Sequence, residues 1–223
     1  MPLLLASERE QICRFGRRMI AERLTRGTSG NLSICNREAG LLAISPSGLD
    51  YLETEPADIV VVDLDGRIVD GNRKPSSEYA LHKKIYQGRD DISAVVHTHS
   101  TFATVLSCLG WELPAVHYML TLAGDSVRCS QYATFGTEEL AGNALEAMAQ
   151  RNAVLLANHG LVAAGCDITA AFTIACEVEF CAEIYWRSRC VGNPVILADS
   201  EMNTMKRLFR SYGQKTERES PSA

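Results

Sequence analysis

The sequence predicts a single α/β domain in which helices cover a mixed sheet. Helical and extended apolar patterns are interspersed along the whole chain, which is the mark of one interleaved fold rather than separate helical and strand units. Asp65-Gly66, set between two strand-like runs, is a strong hairpin signature, so the sheet cannot be all parallel. The chain has 223 residues, 46% hydrophobic and 22% charged, enough to bury a sizeable core and unlike a disordered chain. A net charge of −5 argues against a dedicated nucleic-acid binder. No apolar run approaches the ~20 residues a membrane span needs. The run Leu3–Leu5 is too short and too early for a signal peptide. Eight cysteines without a CxxC pair then read as reduced thiols, and the expected location is cytoplasmic.

The elements follow in order. Ser7 and Glu10 offer a capping box for a helix to about Leu24, with Ile12, Phe15, Met19 and Ile20 at helical spacing. Gly27 and Gly30 break it into a loop. Leu32–Cys35 and Leu41–Ser45 read as strands, followed by a tight loop at Pro46-Ser47-Gly48. Ile59–Asp63 and Arg67–Asp70 form the hairpin. Pro75-Ser76-Ser77-Glu78 opens a helix to about Gln87, the serines being candidate caps. Ala94–Thr98 is an apolar strand, and Ser100–Leu109 is helical. Ala153–Ala157 is a buried strand, and Leu161–Ala164 continues extended. Asp167 begins a long helix to about Arg189 whose inner face is Ala171, Ile174, Ala175, Val178, Cys181 and Tyr185. A last helix covers about Ser200–Tyr212. The domain is expected over residues 1–213, with 214–223 as a flexible polar tail.

Two constellations carry chemistry. His97 and His99 end a strand, and residues two apart on a strand point to one side. His159, at the end of another apolar strand and followed by Gly160, is the best third partner. Three neutral imidazoles suit a zinc-like divalent ion. Glu78, just upstream, is open to three readings: fourth ligand, general base, or a first-turn acid favourable to the helix dipole. The second constellation is three small-residue loops, Thr28-Ser29-Gly30-Asn31, Ser45-Pro46-Ser47-Gly48 and Ser76-Ser77. Each is a plausible turn or cap by itself; converging, they make a phosphate cradle without lysine or arginine. Their spacing matches neither a P-loop nor a dinucleotide fingerprint. His82, about one helical turn after Glu78, reads as a surface residue, with a supporting place behind Glu78 as the alternative. His117 reads as an interface or orienting residue facing away from Tyr118. Glu177, Glu179 and Glu183 read as a solvated face or subunit contacts.

Eight stretches, in order, resemble the class II aldolase/adducin family: GTSGNLS (27–33), ISPSGLDY (44–51), KPSSEYALHKKIY (74–86), AVVHTHS (94–100), PAVHYM (114–119), QYATFGTEEL (131–140), LLANHGLVA (155–163) and EVEFCAEIY (177–185). The likeness is strongest to the L-fuculose-phosphate aldolase branch. The resemblance implies a single-domain α/β/α sandwich with a central mixed, mostly antiparallel sheet. It implies Zn2+ on His97, His99 and His159, with Co2+ or Mn2+ as substitutes. Glu78 becomes a resting ligand and the base in turnover. Phosphate falls to Thr28, Gly30, Asn31, Ser47, Gly48, Ser76 and Ser77. Tyr118, from a neighbouring subunit, assists at the aldehyde oxygen, and Tyr212 lies in a C-terminal tail on the aldehyde side. The implied assembly is a homotetramer with active sites between adjacent subunits, acting on a small phosphorylated sugar.

The implied reaction is reversible cleavage of an L-fuculose 1-phosphate-like ketose 1-phosphate to dihydroxyacetone phosphate and a small aldehyde such as lactaldehyde. One departure bears on the aldehyde. Leu120–Ser126 stands where fuculose enzymes typically carry a slightly longer Gly-Gly-Asn-like stretch. Other substrates therefore stay open: 5-deoxyribulose or methylthioribulose 1-phosphate. So do two other reactions, 4-epimerisation of a sugar phosphate and decarboxylation of an oxo-acid phosphate. The PSSE context of Glu78 favours the aldolase over both.

Overall fold

A computed structural model of the chain describes residues 3–209. Eight strands form one sheet: β1 (Asn31–Asn36), β2 (Leu41–Ile44), β3 (Val60–Asp63), β4 (Ile68–Asp70), β5 (Ala94–Thr98), β6 (Cys129–Ser130), β7 (Ala153–Leu156) and β8 (Gly160–Gly165). Their spatial order is β4-β3-β2-β1-β5-β8-β7-β6, antiparallel throughout except for the parallel β6–β7 pair. The helices are α1 (Ala6–Ala21), α2 (Tyr79–Gly88), α3 (Thr101–Cys108), α4 (Glu138–Ala147), α5 (Ile168–Val191) and α6 (Asp199–Phe209). None of the described helices is long and apolar enough to cross a membrane.

The central strands are buried on both faces, as their unbroken apolar runs require. Period-2 alternation divides the core. Ala94, Val96, Leu161 and Ala163 face one apolar layer with Ile12, Phe15, Ala103, Leu106, Phe172 and Val178. Val95, Val154, Val162 and Ala164 face a second layer with Leu81, Ile85, Leu140 and Ala144. So α1, α3 and α5 cover one side, and α2 and α4 the other.

Several local expectations change. The first helix starts at Ala6 behind Leu5, which is left-handed at φ 54°, and has no side-chain cap; Ser7 lies inside the first turn. The entry is held instead by the buried Arg9 guanidinium, which donates to Leu4 O at 2.7 Å and pairs with Asp70 at 2.6 Å. The same helix stops at Ala21 rather than Leu24, because Arg23 turns left-handed and the Leu24 N–H closes back onto Met19 O at 2.9 Å. Neither β6 nor α4 was anticipated. A two-residue strand has no period, and Gly142 interrupts a short helical face whose N-cap is Thr137.

Candidate active site

β5 lies at the middle of the sheet, where His97 stands opposite Asn31 of β1 and Val162 of β8. Its parity is that of Val95, so its ring projects to the side covered by α2 and α4. His97 Nδ1 lies 2.9 Å from Leu161 O. A carbonyl only accepts, so Nδ1 carries the hydrogen and Nε2 faces the site. His159 arrives on the turn between β7 and β8. Asn158 takes the left-handed conformation there (φ 54°), and a Cβ on Gly160 would collide with Thr98 O, so only glycine lets the two chains come this close. The three imidazole centroids are 4.8–5.0 Å apart, and one nitrogen of each ring lies within 4.8 Å of the others.

Glu78 is the N-cap residue of α2, but its side chain caps nothing. Its N–H donates to Ser76 Oγ at 3.2 Å, which frees the carboxylate to turn inward. Oε2 accepts from Asn31 Nδ2 at 2.9 Å and lies 3.1 Å from His97 Nε2. Oε1 is 3.5 Å from His159 Nε2, is buried, and has no hydrogen-bond partner. Burial opposes ionisation of Glu78. The charge and hydrogen bond of His97, then His159 and Asn31, outweigh it and hold the carboxyl well below its ordinary range. Burial lowers His97 too, but the Glu78 carboxylate and the Leu161 carbonyl raise it on balance. His99 and His159 are pushed down to about 4, by burial first and by the charge of His97 next. With the hydrogen that His97 Nε2 shares with Glu78 displaced, lone pairs from three imidazoles and an orphaned carboxylate oxygen converge in one place. That donor set fits a divalent cation of zinc type.

Beside this cluster is a cleft of about 350 Å³. All seven residues expected around phosphate line it: Thr28, Gly30, Asn31, Ser47, Gly48, Ser76 and Ser77. Gly30, at φ +75°, sits so close to β5 that a Cβ would lie 2.6 Å from His97 O. The first small-residue loop therefore packs directly on the histidine strand. Tyr51 ties it to the second loop, donating to Gly30 O at 2.9 Å beside Ser45 Oγ. Among the described residues no lysine or arginine lines the cleft, so at its small-residue loops an anion meets N–H and O–H dipoles rather than a cationic side chain.

The family model for the class II aldolase and adducin N-terminal domain matches residues 10–186. The chain belongs to this family. It is 53% identical over 213 residues to the 5-deoxy-D-ribulose 1-phosphate aldolase of Bacillus thuringiensis serovar kurstaki, covering 96% of this chain and 100% of that one. It is 47% identical to the 5-methylthioribulose-1-phosphate/5-deoxyribulose-1-phosphate aldolase of Rhodospirillum rubrum, covering 90% of each. The solved structure of an L-fuculose 1-phosphate aldolase superposes with a TM-score of 0.91 at 48% identity, over 93% of this chain and 98% of that one. The chain is thus an enzyme of the class II aldolase type, and the layered mixed sheet is the family's fold.

Within this class II aldolase, some sequence expectations are corrected. His82 is fully buried rather than exposed, with Ser33 and Asn31 on its two nitrogens. His117 does not face away from Tyr118. It heads the 3-10 turn Tyr118–Leu122, so the segment is not extended, and the two rings lie 4.7 Å apart. Glu179 is not simply a solvated charge. It accepts from the Phe102 and Ala103 N–H groups at 2.8 Å and so caps α3 in place of Ser100. Within one chain Tyr118 is 45% exposed and does not line the histidine cleft; it stacks near Phe209. Tyr212 lies outside the described residues. Tyr132, Phe135 and Asn158 line the cleft and were given no role from sequence. Two exposed aromatics just before the left-handed Gly136 were the available signal for the first two.

Proposed function

We propose that the chain is a divalent-metal-dependent aldolase that cleaves 5-deoxy-D-ribulose 1-phosphate between C3 and C4, giving dihydroxyacetone phosphate and acetaldehyde. The observation that carries the reading is the convergence of His97, His99, His159 and the unpartnered Glu78 Oε1 beside a cleft of small-residue loops. Substrate choice draws on the two relatives named for 5-deoxyribulose 1-phosphate, one of which matches this chain over nearly its whole length. They move the preference away from the fuculose phosphate that the sequence placed first. The apolar cleft wall of Tyr132, Ala133 and Phe135 is in keeping with a substrate whose terminal carbon is a methyl group.

His97, His99 and His159 would hold a divalent ion, which we take as Zn2+, and it would supply Lewis acidity to the ketone half of the substrate. The three loops hold the phosphate and so fix C3 beside Glu78, a restriction worth several kcal/mol of barrier. The C4 hydroxyl loses its proton, and we assign that transfer to Tyr118 of an adjacent copy in a tetramer of this chain. The C3–C4 electron pair then stays on the ketone half as an enediolate while the aldehyde departs. In the condensation direction the Glu78 carboxylate removes the C3 proton and Tyr118 gives one to the aldehyde oxygen, water carrying the proton back from Glu78 to Tyr118; cleavage runs the same steps in reverse, so the C4 hydroxyl's proton ends on C3.

L-Fuculose 1-phosphate remains the second reading, supported by the structural match to a fuculose 1-phosphate aldolase. The test is a coupled dihydroxyacetone-phosphate release assay on metal-loaded and chelated enzyme with both ketose phosphates. Chelator-sensitive release, faster from the 5-deoxy substrate, is expected. Faster release from L-fuculose 1-phosphate reverses the order of the two readings. No release from either, with epimerisation of L-ribulose 5-phosphate, overturns the aldolase assignment.

A further inference from the structure

A chain of buried polar groups runs from the α2 layer to Glu78. Tyr86 Oη lies 2.7 Å from Ser33 Oγ and donates to Ser33 O at 3.1 Å. Ser33 Oγ lies 2.5 Å from His82 Nδ1, and His82 Nε2 lies 2.5 Å from Asn31 Oδ1. Asn31 Nδ2 closes the chain on Glu78 Oε2 at 2.9 Å. Ser33, His82 and Tyr86 are buried and do not line the cleft; of these four residues only Asn31 does.

The carboxylate end fixes the direction of each bond as far as Ser33. A carboxylate only accepts, so the NH2 of Asn31 faces Glu78. The amide oxygen therefore faces His82 and also only accepts, so His82 Nε2 carries the hydrogen. Nδ1 of the neutral ring is left as an acceptor, and the Ser33 hydroxyl fills it. Burial keeps the ring neutral, pushing its pKa down to about 3.

We propose that His82 is a positioning residue for the aldol reaction. It grips the Asn31 carboxamide by its oxygen, so that the amide nitrogen clamps Glu78 Oε2 and leaves Oε1 as the oxygen that exchanges the proton with C3. Without that grip the carboxamide can turn over and set its own oxygen lone pairs against the carboxylate. The two carboxylate oxygens are then no longer distinguished, and the basic one is no longer aimed. This inference rests on Glu78 being the base.

The test reads exchange of the hydroxymethyl hydrogens of dihydroxyacetone phosphate with D2O, which needs no aldehyde. It uses metal-loaded wild type, His82→Phe, Asn31→Ala, Glu78→Gln and the double variant of positions 82 and 31, with metal content measured on each. Phenylalanine fills the ring volume and donates nothing. His82→Phe is expected to keep its metal and to lose roughly 10- to 100-fold in maximal exchange rate. Its KM should stay within about threefold of wild type. Adding His82→Phe to Asn31→Ala should cost no more than about a further twofold, because both changes cut one chain. The proposal is overturned if His82→Phe exchanges at the wild-type rate, if it loses the metal, or if the two losses multiply. Where His82→Phe fails to fold, nitrogen-15 spectra of the wild-type protein decide: an Nε2–H tautomer supports the proposal, and Nδ1–H overturns it. Failure of the underlying reading shows separately, as wild-type exchange by Glu78→Gln.

Discussion

His99 and Glu78 place different demands on the site. His99 offers the cation a lone pair and little else, so His99→Ala should lose bound metal and ketose phosphate cleavage together, read by elemental analysis and dihydroxyacetone-phosphate release. Glu78→Gln leaves three imidazoles in place. It should keep metal but lose about 10²- to 10⁴-fold in turnover, the usual range for a general base. A fully metallated, active His99→Ala variant would remove the three-histidine site from the argument. His82 sets a pH dependence of stability. The unfolded chain protonates this ring near the ordinary value of 6.5, and the folded one only near about 3. The unfolded state therefore binds more protons between those values, and stability rises with pH across the window. Falling from pH 6.5 to pH 5 should cost about 2 kcal/mol from this residue alone. His82→Gln should flatten that slope in urea titrations at pH 5 and pH 7. At this scale the sequence was legible where spacing encodes direction, as in His97 and His99. It was misread at His82, although Glu78, His82 and Tyr86 recur every four residues along α2 beside the apolar positions Leu81 and Ile85. That spacing puts a polar stripe against a buried one, which is a readable mark of an internal network.

Elements were legible when they were long or strongly periodic. The hairpin of β3 and β4, the histidine strand β5 and the long α5 all follow from their patterns. Short or borrowed features did not show. The β6 strand is two residues long and is defined by its parallel partner β7. The cap of α3 comes from Glu179, 76 and 77 positions away from the N–H groups it accepts, so nothing near Thr101 announces it. Normally the N-cap side chain accepts at the second or third helical N–H; Glu179 of α5 does this from outside. Glu179→Ala should therefore destabilise the chain by about 1–2 kcal/mol. The urea midpoint should fall with the slope unchanged. α3 begins two residues after His99, so the same variant should also bind the divalent ion more weakly, which calorimetric titration can measure.

Across the whole molecule, the layered architecture could be read from the alternation of patterns, and the two apolar layers are divided by parity along the central strands. What could not be read is how loops far apart in sequence meet. The loops at 28–31, 45–48 and 76–77 are joined through Tyr51, the bridge between Pro46 and Pro75, and the close approach of Gly30 to β5. Each is a tertiary contact with no local trace. The register of β1 against β5 has a separate consequence. Asn31 is paired directly with His97 in the central ladder, so the residue that clamps the carboxylate and a residue of the histidine cluster share one rung. This pair sits on central strands rather than at the sheet's edge, whereas His99, His159 and the phosphate loops lie beyond the strand ends. The His97 amide should exchange with solvent only through complete unfolding.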